Sequence, residues 1–165
     1  MRRARNVVEI DVRILSGAEE AALSFMGATK ELMPSDGPFL VVDIGGGSTE
    51  FVVGTAEAEA AKSVNIGCVR MSERHLNQQP PTQESVDRAI ADIDAAILDA
   101  GKSVDFTKAQ TLVAVAGTAT TVAAAALNLQ QYDRYSIHLS RISASSVHEV
   151  AAMFQRMTRD EITQL

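Results

Sequence analysis

One stretch of the sequence decides the fold: Val41-Val42-Asp43-Ile44-Gly45-Gly46-Gly47-Ser48-Thr49-Glu50. The apolar run from residue 39 to 44 predicts a buried strand, and the glycines predict a tight turn. Residues 49–54 then return as a partner strand. Glycine has no Cβ, so its backbone adopts positive φ at little steric cost and its amides can approach a ligand. The stretch therefore predicts a hairpin whose turn binds phosphate through Gly45, Gly46, Gly47 and Ser48.

The alternative interpretation of this turn is an ordinary glycine-bearing hairpin with an incidental aspartate. Asp43 counts against that alternative, because an unpaired charge at the end of a buried strand is unfavourable. A divalent cation, Mg²⁺ or another, that bridges Asp43 and a phosphate would compensate for the burial. Glu50 brackets the turn on the returning strand. The sequence thus predicts Asp43 as a metal ligand.

A second glycine segment follows a later strand. Residues 111–116 predict a buried strand and residues 119–128 an alanine-rich helix, with Gly117 and Thr118 between them. Free amides and the dipole at a helix N-terminus favour an anion. Gly117 and Thr118 are therefore candidates for a second anion-binding segment. The alternative is an ordinary strand-to-helix turn capped by Thr118.

The remaining patterns predict a mixed α/β fold, a sheet covered by helices. Ser16 and Glu19 have the spacing of a capping box, and a helix is expected from about residue 18 to 32, with Ala22, Phe25, Met26 and Leu32 on or near one face. The other predicted elements are strands at 7–15 and 63–66, and helices at 68–76, 83–100 (capped by Thr82, with Val86, Ile90, Ile93 and Ile97 inward) and 145–157.

Composition excludes several classes of protein. The 165 residues carry a formal net charge of −6, which argues against general nucleic-acid binding. No apolar run approaches the roughly 20 residues of a membrane span. Cys68 is the only cysteine, so no internal disulfide is possible and a cytoplasmic location is expected. His75, His138 and His148 show no ligand spacing.

Four segments, in the same order, resemble the exopolyphosphatase and guanosine pentaphosphate phosphohydrolase (Ppx/GppA) family. They are residues 15–21 (LSGAEEA), 43–50 (DIGGGSTE), 65–70 (NIGCVR) and 116–121 (AGTATT). The resemblance implies one lobe of an actin-like ATPase (ribonuclease H-like) fold. It also implies a phosphohydrolase that releases the terminal phosphate of polyphosphate or guanosine pentaphosphate to water, with a divalent metal ion.

The resemblance implies roles for individual residues. Glu20 would be the general base that activates water, although the helix dipole alone favours an acidic residue in a first turn. Glu50 would orient water or metal, with a strand-exposed glutamate as the alternative. Arg70 is a candidate partner of phosphate or of an acidic neighbour, or else a surface residue of a helix.

The family's enzymes have two lobes, and this sequence lacks most of the first. Residues 1–36 are therefore expected to be a remnant of the first lobe, and 37–165 a second lobe truncated at its C-terminus. Such a fragment is expected to be inactive alone and to need its missing lobe as a partner, or to pair as a homodimer. Two alternatives remain, a lobe of an actin-like ATP-dependent kinase and a non-catalytic sensor of polyphosphate or guanosine tetraphosphate. The sequence does not choose between the two phosphohydrolase substrates.

Overall fold

The computed structural model describes residues 16–164, and the strand predicted for residues 7–15 lies outside them. The described chain forms four strands and seven α-helices. In chain order these are α1 (Gly17–Thr29), β1 (Phe39–Ile44), β2 (Thr49–Gly54), β3 (Ala58–Val64), α2 (Cys68–His75), α3 (Gln83–Gly101), β4 (Thr111–Val115), α4 (Ala116–Ala126), α5 (Arg134–Ile137), α6 (Ala144–Phe154) and α7 (Arg159–Thr163).

The strands form one mixed sheet in the order β3-β2-β1-β4. The first three strands pair antiparallel as the predicted meander, and β4 runs parallel to β1. Strand β3 begins five residues earlier than predicted, at Ala58 instead of residue 63. Since β1 and β4 are parallel, their carboxyl ends lie at the same edge of the sheet. The glycine turn after β1 is thus a neighbour of the segment after β4.

Helix α1 covers one face of the sheet. Its predicted capping box is present, with Glu19 N donating to Ser16 Oγ at 3.3 Å and Ser16 N donating to Glu19 Oε2 at 2.9 Å. The inward face is Ala21, Phe25 and Ala28, spaced at four and three residues, and Leu32 packs against the same cluster after the helix has ended. The expectation for Ala22 and Met26 was wrong, since the apolar stripe lies one residue earlier and Met26 is 60% exposed.

Helix α3 covers the opposite face. Thr82 caps it as predicted, with its hydroxyl accepting from Ser85 N. The core beneath it joins side chains of β1, β2 and β3 to the end of the helix. These residues are Leu40, Val42, Phe51, Val53, Val64, Ala96, Ile97 and Ala100. Of the apolar residues at the helical period, Val86 is buried, whereas Ile90 is 46% exposed and Ala89 is buried beside it.

The junction between β4 and α4 differs from the prediction. No loop separates them, because α4 begins at Ala116, directly after the last residue of β4. The chain makes this sharp change of direction at Ala116, which has a φ of 71°. Val115 occupies the N-cap position without any side-chain cap, so Thr118 is not the cap. Gly117 and Thr118 lie instead within the first turn of α4.

Over residues 16–164, no helix combines the length and the apolar character needed to cross a bilayer.

Helix α1 packs against the β1–β2 pair, although residues 1–36 and 37–165 were assigned to different lobes. That division of the chain stays a prediction.

Replacing Ala116 with glycine should stabilise the protein. A positive φ costs an L-residue with a Cβ roughly 1 kcal/mol, and glycine does not have that cost. Ala116→Gly is expected to raise the free energy of unfolding by about 1 kcal/mol in urea titrations. Ala95→Gly, at an exposed position inside α3, is the matched control and should lower it by about 1 kcal/mol. A destabilised Ala116→Gly protein would contradict the strain at this junction.

Candidate functional site

The glycine turn is fastened to the start of α2 through its carbonyl groups. Cys68 N donates to Gly45 O at 2.9 Å, and Arg70 N donates to Gly46 O at 3.0 Å. The side chain of Arg70 completes the series, with Nε donating to Gly47 O at 2.7 Å. A helix N-terminus has unpaired amides, and here the loop carbonyls accept from two of them. Three successive carbonyls of the loop therefore face α2.

This arrangement directs three loop amides the other way. In a trans peptide the carbonyl and the following N–H point in opposite directions. With the carbonyls of residues 45–47 turned towards α2, the amides of Gly46, Gly47 and Ser48 turn away from it. None of these three amides donates to a backbone carbonyl within residues 16–164, whereas Gly45 N closes the turn onto Ser48 O at 3.0 Å. Successive free amides of this kind form an anion-binding concavity.

The glycine that the close approach of the loop to α2 requires is Gly67, and not one of the three glycines of the turn. No glycine of the described chain has a positive φ, so that part of the sequence argument was wrong. A Cβ on Gly67, the residue before α2, would lie 2.4 Å from Gly46 C and 2.5 Å from Gly47 N. Only a glycine at position 67 allows the loop backbone to rest on α2. The sequence signal was a glycine at an N-cap, where Ser, Thr, Asp or Asn is more common.

Two carboxylates lie side by side next to the loop. Asp43 and Glu50 are direct partners in the antiparallel pairing of β1 with β2, so their side chains project from the same face of the sheet. Ser24 Oγ of α1 donates to Asp43 Oδ2 at 3.2 Å, and Ser63 Oγ of β3 donates to Glu50 Oε1 at 2.6 Å. Like charges directly opposite each other are unfavourable. The pair therefore favours a cation between or beside the two groups.

Glu20 belongs to the same side of the molecule. It lies in the first turn of α1, is exposed, and precedes Ser24 by four residues. Residues four apart share a helix face, and Ser24 contacts Asp43, so the structure brings Glu20 to the face that carries Asp43 and Glu50. Sequence reasoning missed both serines. Ser24 had a signal in its spacing from Glu20, but Ser63 had none, because strand pairing alone places it beside Glu50.

The second glycine segment does lie next to the first. Asp43 and Val115 are partners in the parallel pairing of β1 with β4, and Gly117 follows two residues later. Gly117 O accepts from the hydroxyls of Thr120 and Thr121, at 3.1 and 2.9 Å. These two hydroxyls are used within the helix. At this edge of the sheet, the first turn of α4 therefore presents its backbone, which has no side-chain cap.

The far end of α2 is anchored to α3. Asp92 of α3 accepts from Arg74 Nη1 at 3.0 Å and pairs with His75 Nε2 at 2.8 Å. The His75 side chain is only 11% exposed. The hydrogen bonds from His75 and Arg74 hold the pKa of Asp92 below its usual range. Asp92 thus fixes the helix whose other end carries the glycine loop.

The loop and α2 border a shallow depression of about 360 Å³, lined by Gly46, Gly47, Val69, Arg70 and Glu73. A depression of about 450 Å³ lies between the start of α3 and the end of α6, at Pro80 and Arg156. No residue of the glycine loop or of the carboxylate pair lines this larger depression. The chemistry predicted from the sequence is therefore concentrated at the loop.

Comparison with known proteins gives matches over the whole chain. The sequence model of the Ppx/GppA phosphatase family matches residues 1–165. Exopolyphosphatase 2 of Mycobacterium tuberculosis (strain H37Rv) is 44% identical over 148 residues, which are 90% of this chain and 46% of that protein. Guanosine-5'-triphosphate,3'-diphosphate pyrophosphatase of Vibrio atlanticus is 36% identical over 91 residues, which are 54% of this chain and 18% of that protein.

Comparison with solved structures agrees with these sequence matches. The crystal structure of an exopolyphosphatase-like protein has a TM-score of 0.93 and 42% identity, and the match covers 99% of this chain and 53% of that one. The Aquifex aeolicus member of the Ppx/GppA family has a TM-score of 0.84 and 26% identity, with the same coverage of 99% and 53%. The neighbours have an actin-like ATPase fold, so the predicted fold is confirmed. This chain spans about half the length of these proteins.

Adding a methyl group at Gly67 should displace the loop. Gly67→Ala is expected to lower the free energy of unfolding by about 1 to 3 kcal/mol, the range for overpacking a tight contact. It should also move the amide resonances of Gly46 and Gly47, which its Cβ would touch. Gly27→Ala is the control, since its Cβ would meet nothing within 4 Å, and it should raise stability by about 1 kcal/mol. Unchanged loop resonances in Gly67→Ala would contradict the close contact.

The contacts of Asp92 should make the free energy of unfolding depend on pH. Because the pKa of Asp92 is lower in the folded state than in the unfolded chain, its contribution is present above about pH 4 and is lost as pH falls through the folded pKa. As the pH is lowered from about 5 to 3, the free energy of unfolding should therefore fall less for Asp92→Asn than for the original protein, measured by urea unfolding. Asp94→Asn, at an exposed position of the same helix, should keep the original slope. Equal slopes for all three proteins would argue against the pairing.

Proposed function

Because this chain belongs to the Ppx/GppA phosphatase family, we propose that it forms the phosphate-binding half of a phosphohydrolase. The substrate class is a phosphoanhydride chain, polyphosphate or guanosine pentaphosphate, that loses its terminal phosphate to water. The names of the similar proteins from M. tuberculosis and V. atlanticus support both substrates. The observation that carries the proposal is the row of three free amides at Gly46, Gly47 and Ser48.

In this proposal the terminal phosphate lies against the three amides. Helix α2 holds the opposite side of the loop and contacts α3, which covers the face of the sheet opposite to Asp43 and Glu50. The amides therefore turn towards the side that carries the carboxylates. The Ser48 hydroxyl and the uncapped first turn of α4, with Gly117 and Thr118, add further donors. Backbone amides can bind a dianion in this way within an acidic chain.

A divalent cation, such as Mg²⁺, fits the residues beside the loop. Within residues 16–164 no three His, Cys, Asp or Glu side chains form a group that could hold a metal ion by themselves. Mg²⁺ is commonly held by one or two carboxylates together with water and substrate phosphates. Asp43 would be the protein ligand, and Glu50, its partner across the strands, would lie close to the ion. The bound ion would neutralise charge on the phosphates.

Glu20 is the proposed general base. Its carboxylate lies on the same side as Asp43 but on a different element, α1, so it can approach the terminal phosphate from outside the loop. There it would take a proton from the attacking water, while the loop amides hold the phosphate oxygens. Ser24, one turn along α1, donates to Asp43 and would keep the proposed base close to the proposed metal ligand.

The rest of the cleft is proposed to come from a second lobe. The chain spans about half the length of its relatives, and phosphoryl transfer needs groups around the whole phosphate. We therefore expect this chain alone to bind phosphate chains but to hydrolyse them weakly. The homodimer and the cytoplasmic location expected from the sequence stay predictions.

The test is phosphate release with Mg²⁺ from long-chain polyphosphate and from guanosine pentaphosphate. The 165-residue chain is assayed alone and joined to the parts of M. tuberculosis Exopolyphosphatase 2 that it does not match. Release is expected from the joined protein, and Glu20→Gln should reduce it at least ~100-fold because the general base is lost. Glu57→Gln removes the same charge from the exposed β2–β3 turn and should leave release unchanged.

The outcome also separates the alternatives. If neither substrate is hydrolysed while guanosine tetraphosphate or polyphosphate binds at the loop, the hydrolase proposal is wrong and a sensor is favoured. If ATP alone is consumed in the presence of an acceptor, a kinase lobe is favoured. Release that Glu20→Gln leaves intact would remove Glu20 from the mechanism.

A further inference from the structure

We propose that Arg70 is a positioning residue of the glycine loop, which holds the Gly47 carbonyl so that the Ser48 amide faces the bound phosphate. The inference rests on the proposed function, since it requires phosphate at this loop. The sequence left Arg70 between a contact to phosphate, a contact to an acidic neighbour and a surface position. The structure gives its side chain a different partner, the loop backbone.

Arg70 contacts the loop twice. Its main-chain N–H donates to Gly46 O at 3.0 Å, and its side-chain Nε donates to Gly47 O at 2.7 Å. A Cβ on Gly47 would lie 3.6 Å from Arg70 Nη2, so the guanidinium lies along the loop. Glu73 borders the same depression, but Arg70 forms no ion pair with Glu73 or any other acidic side chain of residues 16–164. The side chain is therefore committed to the loop.

The two peptide units of the loop that Arg70 contacts are held differently. The unit between Gly46 and Gly47 is fixed by a main-chain amide of α2. The unit between Gly47 and Ser48 is held through the Arg70 side chain, and Gly47 itself gives the backbone wide rotational freedom. Each peptide unit turns as a rigid plane, so the direction of the Ser48 amide follows that of the Gly47 carbonyl. Without Arg70, the third amide of the site has to be ordered when the ligand binds, which weakens binding.

The effect of the Arg70 charge on phosphate binding has to be distinguished from the effect of its hydrogen bond to the loop. A guanidinium beside the loop attracts an anion to a chain whose net charge is −6, whatever it contacts. Arg74 offers the matched comparison, because it lies four residues later in the same helix and carries the same charge. Its side chain donates to Asp92 and not to the loop. His75 pairs with the same carboxylate, so α2 keeps a contact with α3 when Arg74 is replaced. Replacing either arginine with methionine removes one charge and all side-chain N–H donors.

The experiment titrates ¹⁵N-labelled 165-residue chain with tripolyphosphate and Mg²⁺, for the original sequence, Arg70→Met and Arg74→Met. Arg70→Met is expected to weaken binding by about tenfold, the effect of losing one charge-assisted hydrogen bond, and Arg74→Met by less than about twofold. Before any ligand is added, Arg70→Met should shift the Ser48 amide resonance more than that of Gly46. A general loss of stability would shift both.

Equal weakening in both variants would overturn the proposal, because charge alone would then explain it. An unshifted Ser48 amide in Arg70→Met would overturn it as well. If Arg70→Met does not fold, the proposal is tested on the Arg70 Nε–H signal of the original protein. Rapid exchange of this proton with water would exclude the hydrogen bond to Gly47 and overturn the proposal. If the original protein shows no response at Gly46, Gly47 or Ser48, the proposed function fails; if it responds and Arg70→Met binds equally well, only the role of Arg70 fails.

Discussion

The hydrogen bonds from α2 to the carbonyls of Gly45, Gly46 and Gly47 are the contact on which the rest of the site depends. They satisfy amides at the start of a helix and loop carbonyls with the same bonds. Because a peptide unit is rigid, they also decide where the loop amides point. The proposed anion-binding surface thus results from the way the opposite side of the loop is held.

Several distant features support that contact. Gly67 allows it, since any side chain at this position would meet the loop backbone. Asp92 supports it from the other end of α2, chiefly through the nearly buried His75. Neither residue has to touch the ligand. Gly67 acts by direct contact with the loop backbone, whereas Asp92 acts by holding the end of the eight-residue helix that is farther from the loop.

On the other face of the sheet, strand pairing brings the carboxylates together. Asp43 and Glu50 are opposite each other because a short turn joins β1 to β2 in this register. A serine hydroxyl from a neighbouring element donates to each of them. Helix α1 completes this side, since its contact with Asp43 carries Glu20 to the same face. The loop amides and the two carboxylates thus lie at one edge of the sheet, where we propose that an anion and a cation bind.

The sequence by itself determined most of the strands and helices, and it predicted a phosphate-binding turn at residues 45–48. Alternating and continuous apolar runs, the Ser16 and Thr82 caps and the glycine triplet act locally, so the strands β1, β2 and β4 and the helices α1, α2 and α3 could be predicted with small errors at their ends. The motifs also indicated the family, which the whole chain matches. The direct β4–α4 junction was missed, because alanine at a positive φ has no sequence signal.

Only the tertiary structure decided how the site is oriented. That Arg70 holds Gly47, that Ser63 donates to Glu50, and that Gly67 is needed for contact follow from pairs 13 to 23 residues apart in the chain. Such contacts depend on strand register and helix placement, which are set by the packing of α1 and α3 on opposite faces of the sheet. Local sequence patterns carry no information about that packing, and for this reason the direction of the three amides appears only in the folded chain.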